Sequence, residues 1–150
     1  MVSIGIDVGK KGGYAIIYDE DDYETHVWDD QEFIETMWEI AQTTSAKERI
    51  VVCVEKVGSM PHQGVTSSFN FGKSAGFIEG VLSALGLPYQ LIPPQRWKKE
   101  FTLNSEKQKS IEVCERLFPK VNLLPTERCR VKSDGMAEAL LMAEYARRNL

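Results

Sequence analysis

Soft metal ligands are scarce in this chain. Its 150 residues include two histidines, His26 and His62, with no metal-ligand spacing between them, and three cysteines, Cys53, Cys114 and Cys129, with no C-x-x-C pair. An odd, unpaired set of cysteines offers no disulfide framework, so reduced thiols in a cytoplasm-like compartment are expected. Long apolar runs are missing too. None reaches the roughly 18 residues that a membrane span needs, and no signal-peptide pattern opens the sequence, so no membrane partner is expected. Between residues 19 and 39 there is no Lys or Arg at all, against ten acids, which rules that stretch out as a phosphate-binding surface.

Positive charge is present, and it is concentrated. The formal net charge is −4. Residues 96–132 nevertheless carry ten Lys and Arg against five Glu, net +5, which leaves −9 for the rest of the chain. One face for phosphates and another that repels them is the expectation. Composition is otherwise that of an ordinary globular protein, and this length supports one core, so a single domain over residues 1–150 is expected.

Residues 2–9 read as a strand rich in β-branched side chains, 14–18 as a second and 24–28 as a third, joined by short turns into an antiparallel meander. Asp29 or Asp30 caps a helix in which Phe33, Ile34, Met37, Trp38 and Ala41 recur at helical spacing. The apolar run 50–54 fits a strand covered on both faces, and it ends in Glu55. After a loop over 56–65, the spacing of Phe71, Ala75, Ile78, Leu82 and Leu85 predicts a long helix stopped by Gly86. Gly72, Gly76 and Gly80 each cost that helix close to 1 kcal/mol relative to alanine, which predicts a close approach there of another backbone, a dimer partner or DNA. A short strand over 89–92 leads into Pro93-Pro94, which opens the basic segment. Ser105-Glu106-Lys107-Gln108 reads as a capping box for a helix with Ile111, Cys114 and Phe118 inward. Residues 119–132 read as irregular, and Ser133 or Asp134 caps a last helix from Gly135 to about Arg148. The order is that of an α/β domain, a mixed five-stranded sheet of three antiparallel strands followed by parallel ones, flanked by helices.

Four acids carry the chemistry. Asp7 stands in a strand interior, where Asp is disfavoured and a lone buried carboxylate costs several kcal/mol. Glu55 ends the fourth strand. Asp134 and Glu138, four apart, share one helix face near an N-terminus that relieves about 0.3–1 kcal/mol per acid. Taken singly, Asp134 reads as a cap, Glu138 as a solvated helix residue and Glu55 as a loop start. If strands one and four are neighbours and the last helix packs across them, the four can converge on a cation. An all-carboxylate set suits a hard ion such as Mg²⁺ or Mn²⁺ rather than zinc.

Ile4-Gly5-Ile6-Asp7-Val8-Gly9, Val54-Glu55-Lys56-Val57 and Asp134-Gly135-Met136-Ala137-Glu138-Ala139-Leu140-Leu141 resemble, in order and spacing, the motifs of RuvC-like Holliday junction resolvases. Ser68-Phe69-Asn70-Phe71-Gly72-Lys73 and Pro94-Gln95-Arg96-Trp97-Lys98-Lys99 look closest to the phage-type and organellar branch, as does the four-residue separation of Asp134 and Glu138; the bacterial branch places its last two acids three apart. The resemblance implies an RNase H-like fold, a homodimer, and Mg²⁺-dependent paired nicking of four-way DNA junctions that leaves 5′-phosphate and 3′-hydroxyl ends. It implies two metal ions held by Asp7, Glu55, Asp134 and Glu138, with Mn²⁺ a substitute, and it matches Lys107 and Lys98 to lysines near the scissile phosphate. The location expected is the cytoplasm, that of the host if the chain is phage-encoded, with an organelle left open.

Candidate phosphate contacts are Lys98, Lys99, Lys107, Lys109, Arg128, Arg130 and Lys132, joined by Lys73 and Arg96 from the two resembling stretches; their number predicts strongly salt-dependent binding. The loop Met60-Pro61-His62-Gln63 leaves the active-site strand and is a candidate to wedge a junction or read a base. Three rival readings stand beside this one. Residues 7–13 also resemble the first phosphate loop of actin-like sugar kinases and ATPases, which need two such domains. An RNase H-like nuclease for RNA–DNA hybrid or other branched DNA has the same motifs. A junction-binding protein without cleavage would keep the basic segment but has no use for the acids.

Overall fold

The computed structural model describes residues 1–58 and 61–150, so Met60, named above as a candidate DNA contact, lies outside the described residues. Strands β1 (Val2–Asp7), β2 (Gly13–Ile17) and β3 (Tyr23–Val27) form the antiparallel meander, and β4 (Ile50–Glu55) and β5 (Tyr89–Ile92) add to the other side of β1 in parallel. The sheet order is β3-β2-β1-β4-β5, which puts β1 at the centre. Parallel β1 and β4 start together at Val2 and Ile50, so their acidic C-terminal ends fall at one edge of the sheet.

The pleat of β1 divides the interior. Ile4 and Ile6 point to one face, with Ile16, Val52 and Val54, and meet Phe33, Met37 and Ile40 of α1 (Asp30–Thr43) and Ile78 and Leu82 of α2 (Val65–Ala84). The opposite face carries Ala15, Ile17, Val51 and Cys53 and is covered by α3 (Pro94–Glu100), α4 (Lys107–Leu117) and α5 (Asp134–Asn149). Helix α5 is the core helix: eleven of its sixteen residues are buried. An apolar helix reaches a sheet this closely only where side chains are small. At Gly5 an added Cβ would stand 2.0 Å from the Ala139 carbonyl oxygen and 2.3 Å from the Ala143 nitrogen, so α5 lies with its backbone on β1. Gly135 repeats this at the first turn, where a Cβ would meet the Lys11 carbonyl oxygen at 2.2 Å.

Several local expectations hold. Asp29 caps α1, its carboxylate accepting from the Glu32 N–H at 2.9 Å, and Ser133 caps α5, accepting from the Met136 N–H at 3.1 Å. Gly86, at φ +69°, ends α2 in the left-handed conformation. Others differ. Trp38, placed inward by periodicity, is 56% exposed. Gly72, Gly76 and Gly80 have nothing within 4 Å of an added Cβ among the described residues, so no described backbone outside their own helix approaches them. The Pro-Pro segment starts a helix, α3, because proline at the first helical position gives up only an N–H that would be unpaired anyway. No capping box precedes α4; Glu106 is its N-cap without a side-chain bond, and the Asn104 side chain accepts from the Glu106 N–H at 2.8 Å.

Both termini are fastened at the sheet edge away from the acids. The Met1 ammonium pairs with Glu48 at 3.1 Å, and the Arg49 guanidinium donates to the Leu150 carbonyl. No helix among the described residues is long and apolar enough to cross a membrane.

Candidate metal centre

Asp7, Glu55 and Glu138 meet at the C-terminal edge of the central strands. Asp7 is the last residue of β1 and Glu55 of β4; both point to the α5 face because Ser3, Gly5 and Asp7, like Val51, Cys53 and Glu55, alternate with side chains buried against α1 and α2. The close seating of α5 at Gly5 brings Glu138 over them. One carboxylate oxygen from each of the three lies within 4.8 Å of the others, and all three side chains are partly buried.

Their electrostatics are unfavourable as they stand. Burial pushes the Asp7 carboxyl well above the usual carboxylate range, and the charges of Glu55, Glu138 and Asp134 push the same way. Burial likewise raises Glu55 and Glu138, against a lowering pull from neighbouring donors. Those donors are specific. The indole N–H of Trp97, itself completely buried, donates to Glu55 Oε2 at 3.2 Å, and the buried Ser110 hydroxyl donates to Glu138 Oε1 at 3.2 Å. The Lys98 ammonium lies 3.9 Å from Glu138 Oε1. One ammonium facing three carboxyls leaves a deficit of positive charge, and a donor set made only of carboxylate oxygens fits a hard divalent cation.

Asp134 stands one turn before Glu138 and does not join the group of mutually close oxygens; its Oδ2 faces the Lys107 ammonium at 3.6 Å. Lys98 and Lys107 are thus both at the acids. Lys99, Arg96 and Lys109 lie exposed on α3 and α4, Lys73 is exposed on α2, and Arg128 and Arg130 are exposed in the segment before α5. Lys132 is drawn away to both oxygens of Glu115 at 2.8 Å. His62 is exposed, at φ +68°, and Gln63 is half-buried beside it. Trp97 and Ser110 were not singled out from sequence as site residues. A tryptophan in an otherwise polar, basic helix was the available signal for the first; a serine inside an amphipathic helix carries none.

Comparison with solved structures gives RuvC from Thermus thermophilus in complex with a Holliday junction substrate, at TM-score 0.59 and 15% identity, over 99% of this chain and 97% of that one. The chain has a RuvC-like fold. A second structure of Thermus thermophilus RuvC aligns at TM-score 0.54 and 16% identity, over 99% of this chain and 96% of that one. Neither a protein-family model nor a curated protein matches the chain. In this RuvC-like fold the three converging acids come from the central strand, its parallel neighbour and the helix laid across both.

Proposed function

We propose that this protein is a structure-specific endonuclease that resolves four-way (Holliday) DNA junctions by paired nicking, leaving 5′-phosphate and 3′-hydroxyl ends. The observation that carries the reading is the convergence of Asp7, Glu55 and Glu138 on one point at the edge of a RuvC-like sheet. The solved structure that this fold resembles is a complex with a Holliday junction substrate, and the basic segment that follows β5 would supply phosphate contacts beside the acids.

Asp7, Glu55 and Glu138, with Asp134 at the mouth, would hold divalent metal, Mg²⁺ by donor chemistry and Mn²⁺ as a substitute. When bound, such ions supply a water nucleophile at neutral pH and neutralise the leaving oxygen. The chain's own groups do the rest. Trp97 and Ser110 aim Glu55 and Glu138. Lys107 and Lys98 bring positive charge to the scissile phosphate. Lys73, Arg96, Lys99, Lys109, Arg128 and Arg130 hold the flanking backbone, with Lys132 the weakest contributor because Glu115 already engages it. Paired nicks need two active sites. The outward face of α2, with Val65 88% and Phe69 68% exposed beside the open glycines, is a self-complementary surface for a homodimer.

A strand-labelled synthetic four-way junction, incubated with and without Mg²⁺, tests the reading. Symmetric nicks giving ligatable duplexes, only with metal, are expected. Cleavage of flaps or RNA–DNA hybrids in place of junctions would keep the metal site and change the substrate; tight junction binding without cleavage would overturn the enzyme.

A further inference from the structure

Across the β1–β2 turn from the acids, on the α1 and α2 side of the sheet, lies a cavity of about 620 Å³ lined by Gly9, Lys10, Trp28, Asn70, Phe71 and Lys73, with Phe77 behind them. Its volume is that of a small-ligand pocket. Its back wall is aromatic and rigid. The Trp28 ring packs on Phe33 at 4.8 Å and edge-on to Phe77 at 6.5 Å, and its indole N–H is fixed to Asp30 Oδ1 at 2.7 Å. Phe71 closes the side towards the site: its ring stands 3.3 Å from where a Cβ of Gly9 would be, and it remains 39% exposed although its spacing predicts a core residue. Gly9, at φ +125°, is only two residues beyond Asp7.

The polar lining selects among occupants. Both acids at the rim are engaged, Asp29 by the Glu32 N–H and Asp30 by Trp28. Lys10 and Lys73 form no ion pair among the described residues, although the chain as a whole is acidic. Aromatic rings for a π-face, amide and hydroxyl groups of Asn70, Ser67 and Ser74 for a base edge, and two uncommitted ammonium groups match one nucleotide better than an apolar peptide. Ser67, Asn70, Phe71, Ser74 and Phe77 of α2 face away from Val65, Phe69 and the glycines, with Lys73, one turn beyond Phe69, at the border of the two faces, so a second copy seated on that outer face leaves the aromatic wall of the cavity open.

We propose that this cavity receives one unstacked nucleobase of a DNA strand passing over the acids, with Phe71 and Trp28 contacting the base and Lys10 and Lys73 its flanking phosphates. The DNA strand is taken from the nuclease reading; the pocket itself is tested without a junction or metal. The full-length chain, labelled with ¹⁵N, is titrated with a single-stranded deoxy-pentanucleotide in EDTA. Trp28 supplies a private probe, since Trp97 is buried in the other face and Trp38 is exposed on α1. Saturable shifts of the Trp28 indole N–H and of the Lys10, Asn70 and Lys73 amides are expected, with Trp38 unmoved. Phe71→Ala weakens binding about tenfold, Phe71→Trp retains it, and Lys73→Ala lowers the salt slope by about one. Shifts confined to residues 96–132, unchanged affinity in Phe71→Ala, or shifts that follow protein rather than oligonucleotide concentration would each overturn the pocket. If such a result accompanies normal junction cleavage, only the pocket falls. If the shifts appear and junctions are not cut, the pocket stands and the resolvase reading falls.

Discussion

At the scale of single residues, the three acids oppose folding when no metal is present. An acid whose pKa is raised by folding contributes stability below its ordinary pKa and loses it as pH rises through the folded value. Asp7, Glu55 and Glu138 all shift upward, so the metal-free protein should lose stability as pH climbs from about 4 towards neutrality. His26, raised chiefly by the Glu24 carboxylate 3.3 Å from its Nε2 and also by Glu32 at Nδ1, has the same sign, its stabilising effect fading as pH rises past the ordinary histidine value. Comparison with Asp7→Asn isolates the site. In EDTA the variant should match the wild type near pH 4 and exceed it at pH 8, by 2–4 °C in Tm for each roughly 1 kcal/mol relieved, and saturating Mg²⁺ should reverse the order. Scanning calorimetry at several pH values reads this; a variant less stable than the wild type at pH 8 without metal contradicts it. The donors behind the acids give a second expectation. Ser110→Ala and Trp97→Phe should each weaken Mn²⁺ binding about tenfold by titration calorimetry, since each frees one carboxylate to rotate.

At the scale of elements, what positions the site is the contact of α5 with β1. Gly5→Ala drives a methyl group into the α5 backbone, so it should lower Tm by several degrees and weaken metal binding together, through the displaced Glu138. Gly76→Ala should do the reverse to the isolated chain, stabilising it by about 0.5–1 kcal/mol as helix glycines are replaced, while dissociating a dimer built on that face; sedentation by ultracentrifugation against calorimetry separates the two effects. This contrast also marks what the sequence made legible. The five strands, the inward faces of α1, α2 and α4 apart from Trp38 and Phe71, and the candidate acids follow local rules of period, cap and composition. The seat of α5 does not, because Gly5 and Ala139 sit at opposite ends of the chain and no spacing links them. The glycine repeat of α2, which is visible locally, predicts close packing that the described residues of this chain do not make. Trp97 and Glu55 are 42 residues apart, and only the parallel pairing of β4 with β5 brings α3 round to join them.

At the scale of the whole molecule, charge is sorted along the sheet only in part, because the basic segment returns to the acidic edge, where Lys120 lies 3.7 Å from Asp21. The acidic residues 19–39 form the β2–β3 turn, the edge strand β3 and the first turns of α1, while Lys98 and Lys99 follow β5 at the opposite edge. Junction binding should therefore fall steeply with salt. Lys99→Ala should reduce the slope of log K against log salt by about one, and Lys132→Ala by less, because that ammonium is already held by Glu115. Equal losses for the two lysines in a filter-binding series would deny the ion pair any role. The fastening of Met1 to Glu48 and of Leu150 to Arg49 has a practical consequence. Helix α5 runs from the acids back to that far edge, sixteen residues or about 24 Å. A fluorophore, affinity handle or surface tether placed beside Met1 or Leu150 would sit on the side away from the acids, leaving the acidic edge of an immobilised molecule open to solution.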